Sequence, residues 1–113
     1  MKLTKQQAIE GHRKMWNWIA DTIEKKKTVC CIPELKRDYC FENNLTLSCN
    51  CFCCEYNSHT QACKKCPLDW GKTRSCSTNE KSLYCRITYC ELWKEQVDLA
   101  RQIANLPERE DVE

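Results

Sequence analysis

The clearest periodicity in the chain opens it. Ala8, Ile9, His12, Met15, Trp16, Ile19 and Ile23 recur at steps of three and four residues, which places them on one face of an amphipathic helix. Thr4 and Gln7 supply its start, because a cap hydroxyl and an amide three positions on can each cover the other's exposed N–H. Trp18 lies beside the stripe and widens it. The run Lys25-Lys26-Lys27 closes the pattern with cations, where the negative end of a helix dipole favours them. These signals predict a helix within residues 1–27. Gly11 falls inside it at a cost of roughly 1 kcal/mol relative to alanine, and close approach of another backbone is one reason to keep it there.

A second helical stripe closes the chain. Leu92, Trp93, Val97, Leu99, Ala100, Ile103, Ala104 and Leu106 give a broad apolar face, Thr88 and Glu91 repeat the capping spacing, and Pro107 marks the stop. Just before it the period changes. Leu83, Cys85, Ile87 and Tyr89 alternate with Tyr84, Arg86 and Thr88, which predicts a short strand feeding the final helix. Leu45-Thr46-Leu47-Ser48-Cys49 reads as a second short strand, residues 28–48 are otherwise weakly patterned, and the acidic tail from Glu108 to Glu113 reads as frayed. The expected fold is α+β, with the N- and C-terminal helices packed together beside a small zinc-knuckle, zinc-ribbon-like substructure carrying one or two short strands. At 113 residues this is one domain, residues 1–113, with a metal-binding segment at 45–76 and the strand and helix at 83–107.

Composition brings in the metal. Twelve cysteines in 113 residues exceed what an ordinary globular chain carries, and two glycines with three prolines supply little of the turn chemistry of an all-β domain. The opening segment Met1 to Glu10 holds no apolar run like the core of a signal peptide, and no stretch approaches a membrane span. That predicts a cytoplasmic chain without a membrane partner, whose thiols stay reduced, so paired cysteines read as metal ligands; the even count keeps disulfides as the alternative.

Two spacings stand out in the middle of the chain. Cys51 and Cys54 form one C-x-x-C, Cys63 and Cys66 a second, and eight residues separate them. Two intervening residues let a tight turn aim both sulfurs at one ion, and two such turns supply four thiolates for tetrahedral zinc, closed to water and therefore structural. Ligand softness leaves zinc or an iron–sulfur centre. The expected site is one Zn2+ on Cys51, Cys54, Cys63 and Cys66. Cys49 or Cys53 competes with Cys51 or Cys54 for a place, and His59 between the pairs reads as an exposed loop residue because four sulfurs already fill the shell. Trp70 reads as an aromatic packed over the metal turns. Cys30, Cys31, Cys40, Cys76, Cys85 and Cys90 read as small buried hydrophobes, with a second metal site or disulfides as the alternatives.

Charge and motif content narrow the function. The first 29 residues carry seven Lys and Arg against three Asp and Glu, the last 23 carry three against seven, and the whole chain is +2. Four thiolates around one Zn2+ bring that to about zero, which is not the balance of a strong nucleic-acid binder. There is no Gly-rich phosphate loop, no HExxH, and no cysteine with an evident base, so the chain reads as non-enzymatic.

Five segments stand out together: Cys51-x-x-Cys54-Glu55-Tyr56, Cys63-x-x-Cys66-Pro67-Leu68-Asp69-Trp70, Trp93, the run from Leu99 to Pro107 and His12-Arg13-Lys14-Met15-Trp16-Asn17-Trp18. In these segments the chain resembles a group of small cysteine-rich proteins encoded by tailed phages and prophages of Gram-positive bacteria. The resemblance implies a phage origin, a host-cytoplasmic setting and metal ligation by the four cysteines, but no mechanism. Residues 28–48 and the cysteines at 49, 53, 85 and 90 lie outside it. The expected function is a zinc-stabilised interaction or host-directed regulatory factor that binds a host or phage protein. The alternative is a nucleic-acid-binding zinc regulator using Lys25, Lys26, Lys27, Lys64, Lys65, Lys72 and Arg74, and a redox sensor that releases zinc on oxidation is a further reading.

Overall fold

A computed structural model describes residues 3–47, 52, 67–69 and 83–108. Four helices are described in full, in the order α1 (Lys5–Lys26), α2 (Ile32–Glu42), α3 (Leu83–Thr88) and α4 (Trp93–Ala104).

The ends of α1 follow from local chemistry. Gln7 N–H donates to Thr4 Oγ1 at 3.1 Å and Thr4 N–H donates to Gln7 Oε1 at 3.0 Å, so the reciprocal cap forms. At the other end Lys27 turns into the left-handed region at φ 54°, and its N–H closes on the Ile23 carbonyl at 2.8 Å. The face between them buries Ala8, Ile9, His12, Met15, Trp16, Ile19, Ala20 and Ile23.

That face packs against α4, which buries Gln96, Leu99, Ala100, Ile103 and Ala104. The two helices are antiparallel. His12 lies against Ile103, Arg13 reaches the Leu106 carbonyl, and Arg101 donates to Asn17 Oδ1 at 2.9 Å and to Asp21 Oδ1 at 2.5 Å. Ala20, Ala100 and Ala104 are fully buried, small side chains that let two helices approach closely. His12 Nε2 donates to the Ile103 carbonyl at 2.8 Å, which meets one of the terminal acceptors of α4 with a side chain from α1.

The two shorter helices cover the flanks. Ile32, Leu35, Lys36 and Cys40 form the buried face of α2, and the Trp18 and Tyr39 rings meet across α1 and α2 at 5.4 Å. Burial pushes the Tyr39 phenol above its ordinary pKa of 10.0, and negative charge on neighbouring Cys40 adds to the shift. Tyr84 of α3 meets the Trp16 ring edge-on at 6.1 Å and takes the Lys36 ammonium over its face at 4.8 Å, joining three helices.

The expected α+β architecture is overturned. The described residues are mostly helical and hold no sheet and no ribbon-like layer of strands beside the helices. Residues 83–88, expected as a strand, are helix: Leu83 and Ile87 share a face at i, i+4, Tyr84 joins them at i, i+3, and Ile87 is fully buried. Alternation over so few residues fits both periods, and packing against Trp16 and α4 decides for the helix. Thr88 ends α3 with its hydroxyl donating to the Tyr84 carbonyl at 2.7 Å, so it does not cap α4, which begins at Trp93 without a side-chain cap. The second expected strand has no repetitive structure over residues 45–47, and its remainder lies outside the described residues. The one bridge between extended segments among the described residues pairs Leu68 with Glu108. No described helix is long and apolar enough to cross a membrane.

Gln96 is the polar group on which the junction of the α1–α2 connection, α3 and α4 turns. It is fully buried, its Oε1 accepts from the Cys30 N–H at 3.0 Å, and its Nε2 donates to the Cys30 carbonyl at 2.9 Å and the Ile87 carbonyl at 3.2 Å. Replacing Gln96 by Glu keeps the shape but turns an acceptor toward two carbonyls. We expect Gln96→Glu to lower stability by about 2–4 kcal/mol at neutral pH. Buried there, the new carboxyl would titrate above its unfolded value, so stability should recover as pH falls below that raised pKa and be lost as pH rises through it. Urea titration of helical circular dichroism at pH 7 and pH 4 measures this; equal loss at both would remove the assigned role of the amide.

Candidate functional site

The four expected metal ligands, Cys51, Cys54, Cys63 and Cys66, lie outside the described residues, as do Cys49, Cys53, His59, Trp70 and Cys76. What the structure does describe is how the chain is held beside both pairs. Phe52, inside the first C-x-x-C, is helical and buried. Its ring lies against Gly11: a methyl built on Gly11 would overlap the ring, with Phe52 Cγ only 2.8 Å away. The close approach expected at Gly11 is therefore real, and it is made by an aromatic side chain instead of a backbone.

Pro67 and Leu68 follow the second C-x-x-C directly, and both are buried. Leu68 bridges to Glu108, and Asp69 N–H donates to the Pro107 carbonyl at 2.8 Å. Glu108 in turn pairs with Lys5 at 3.1 Å. Lys5 and Gly11 both lie in the first half of α1, so the two attachments meet α1 and the segment after α4 at the same end of the helix pair.

The remaining cysteines do not form a second centre among the described residues. Cys30, Cys31 and Cys90 are free thiols, and no group of three or more His, Cys, Asp or Glu among the described residues is placed to hold a metal ion. Cys40 is buried in the core, as a small hydrophobe should be, while Cys31 is the exposed N-cap of α2. His12, far from the cysteine pairs in sequence, serves the α1–α4 contact.

The opposite end of the helix pair has a different character. Gln96 draws Cys30 and the end of α3 to the first turns of α4. Around them stand Tyr89, 81% exposed, Leu92, 65% exposed, and Val29, 40% exposed. An open cleft of about 520 Å³ lies beside the α3–α4 turn, lined by Cys85, Arg86, Tyr89, Glu91, Leu92 and Glu95. A smaller groove between α1 and α2, about 380 Å³, runs past Trp18, Leu35 and Asp38 to Phe41, which is 84% exposed.

Of the expected basic patch, Lys25, Lys26 and Lys27 are exposed at the end of α1, and the other four cations lie outside the described residues. Arg13 and Arg101 are engaged with Leu106, Asn17 and Asp21 at the margin of the α1–α4 contact. The polar residue that sequence reading missed is Gln96. Its signal was present, since it sits three and four positions before Leu99 and Ala100 on the apolar stripe.

No protein-family model, curated protein or solved structure matches this chain.

The burial of the thiols predicts an order of reactivity. Cys31 should alkylate under native conditions at close to the rate of a free thiol, and Cys40 should be protected by about 100-fold or more until denaturant opens the core. Iodoacetamide labelling followed by peptide mass spectrometry reads both; equal native rates would contradict the placement of Cys40.

Proposed function

We propose that this chain is a small, non-enzymatic, zinc-stabilised interaction protein, which uses the apolar end of its helix pair to bind a host or phage protein in the host cytoplasm. The observation that carries the reading is the exposure of Tyr89 and Leu92 at the rim of an open cleft. Large apolar side chains gathered at one place on a small domain favour a partner that removes them from water, and tyrosine is a preferred anchor in such contacts. The neighbouring Arg86, Glu91 and Glu95 supply a polar rim of mixed sign, which suits a protein surface better than a uniform polyanion. The resemblance to small phage proteins supports the host-directed setting.

In this reading Cys51, Cys54, Cys63 and Cys66 hold one Zn2+. Four soft thiolates fit a closed tetrahedral site. Attachment of the chain beside both pairs at one end of the helix pair supports convergence of the two pairs. When bound, the ion contributes folding energy, on the order of 10 kcal/mol at neutral pH. The second reading, a nucleic-acid-binding regulator, rests on the three exposed lysines that end α1.

Cys54→Ser or Cys63→Ser should lower the zinc content of purified protein below one equivalent, while His59→Ala leaves it unchanged; full occupancy in either serine variant would refute the ligand set. The double variant Tyr89→Ser/Leu92→Ser should keep its helical circular dichroism and weaken binding to a purified partner by about 100-fold or more. Partner binding untouched by that variant, or affinity for DNA or RNA that falls steeply with salt and depends on Lys25, Lys26 and Lys27, would favour the nucleic-acid reading instead.

A further inference from the structure

We infer that Gly11 and Phe52 form a seat that positions the first cysteine pair for metal, so that metal affinity is set in part by a residue of α1 that ligates nothing. This rests on the zinc reading above and deepens it.

Gly11 lies in the interior of a 22-residue helix, where glycine is disfavoured by roughly 1 kcal/mol relative to alanine. The structure gives the compensation. The space that a methyl would occupy is filled by the Phe52 ring, whose Cγ lies 2.8 Å from the built position. Phe52 is no ordinary core residue in its chain position, because Cys51 and Cys53 are its immediate neighbours and Cys54 is two residues on. The second seat is comparable. Leu68, fully buried and bridged to Glu108, follows Cys66 by two residues.

Connectivity alone would not bring these seats together. The stretch from Phe52 to Pro67 is long enough, when extended, to span about 50 Å. Yet Phe52 rests on Gly11, while Leu68 reaches α1 through Glu108 and its pairing with Lys5. Lys5 and Gly11 are six positions apart on α1, about 9 Å along the axis. Tethering Phe52 and Leu68 to the same end of the helix pair lowers the loop-closure entropy that four converging thiolates would otherwise have to overcome. By linkage, what helps the metal bind is helped in return, so the bound ion holds Phe52 on its seat.

Reduced, metal-free full-length protein is titrated with Co2+, whose thiolate charge-transfer and d–d bands report a tetrahedral four-sulfur site, and the Co2+ is then displaced with Zn2+. Gly11→Ala should give the same bands with affinity lower by about tenfold or more. Phe52→Ala should do likewise, and Phe52→Leu should recover most of the loss. The double variant Gly11→Ala/Phe52→Ala should be no weaker than Phe52→Ala alone, because the three atoms nearest the added methyl all belong to that ring. Gln96→Leu serves as control, since it loosens the opposite end of the bundle, and it should leave the affinity within twofold of wild type.

Wild-type affinity in Gly11→Ala would overturn the inference, as would an equal loss in Gln96→Leu, which would mean general destabilisation. If Phe52→Ala loses its helices, Gly11→Ala and Phe52→Leu decide the matter between them. A wild-type protein with no thiolate band would sink the zinc reading itself, a result distinct from normal bands that ignore Gly11.

Discussion

The close antiparallel contact between α1 and α4 governs everything else that the structure describes. Ala20, Ala100 and Ala104 bring the helices together, and Ile9, Ile19, Ile23, Leu99 and Ile103 fill the space beside them. Dispersion and hydrophobic burial give that contact its strength but say little about register. Register comes from the polar groups at its margin. The His12 imidazole meets the Ile103 carbonyl, and the Arg101 guanidinium spans Asn17 and Asp21. A one-residue slip of α4 would turn its apolar stripe by about 100° and break each of these bonds.

Once that register is set, the two ends of the helix pair take on separate chemistry. At one end the first half of α1 and the segment after α4 receive Phe52 and Leu68, and the cysteine pairs lie next to those residues in the chain. At the other, Gln96 gathers Cys30 and Ile87 around the start of α4, and Val29, Tyr89 and Leu92 stand exposed around that junction. A fully satisfied buried amide is an economical way to join three segments that have no sheet to pair them. It answers two donors' worth of carbonyl demand and one N–H at a single point. The proposed division of labour is that one end is stabilised by metal and the other meets a partner.

The helix α1 was legible in detail because its signals are local. A seven-position stripe, a reciprocal cap and a lysine-rich close agree on one element, and none of them needs a distant residue to be read. The apolar face of α4 was legible for the same reason, though its start was not, since Thr88 uses its hydroxyl within α3. Helix α2 was missed because its buried face is short and includes Lys36, which periodicity does not score as core. Lys36 is buried with its ammonium over the ring of Tyr84, 48 residues away. The expected strand at 83–89 failed because four alternating apolar residues also satisfy helical spacing, and contacts with α1 and α4 made the choice.

The sequence by itself determined the two long amphipathic helices, the wealth of thiols with their paired spacing, and the presence of a glycine where helix propensity argues against one. Only the tertiary structure decided that the intervening segment 83–88 is helical, that Gly11 makes room for the ring of Phe52, and that Gln96 is a buried junction instead of a surface amide. The reason is range. Stripes and caps are interactions over three or four residues and are written in adjacent letters, whereas a notch for a ring 41 positions away, or an amide joined to a loop 66 positions away, exists only after the helices have packed.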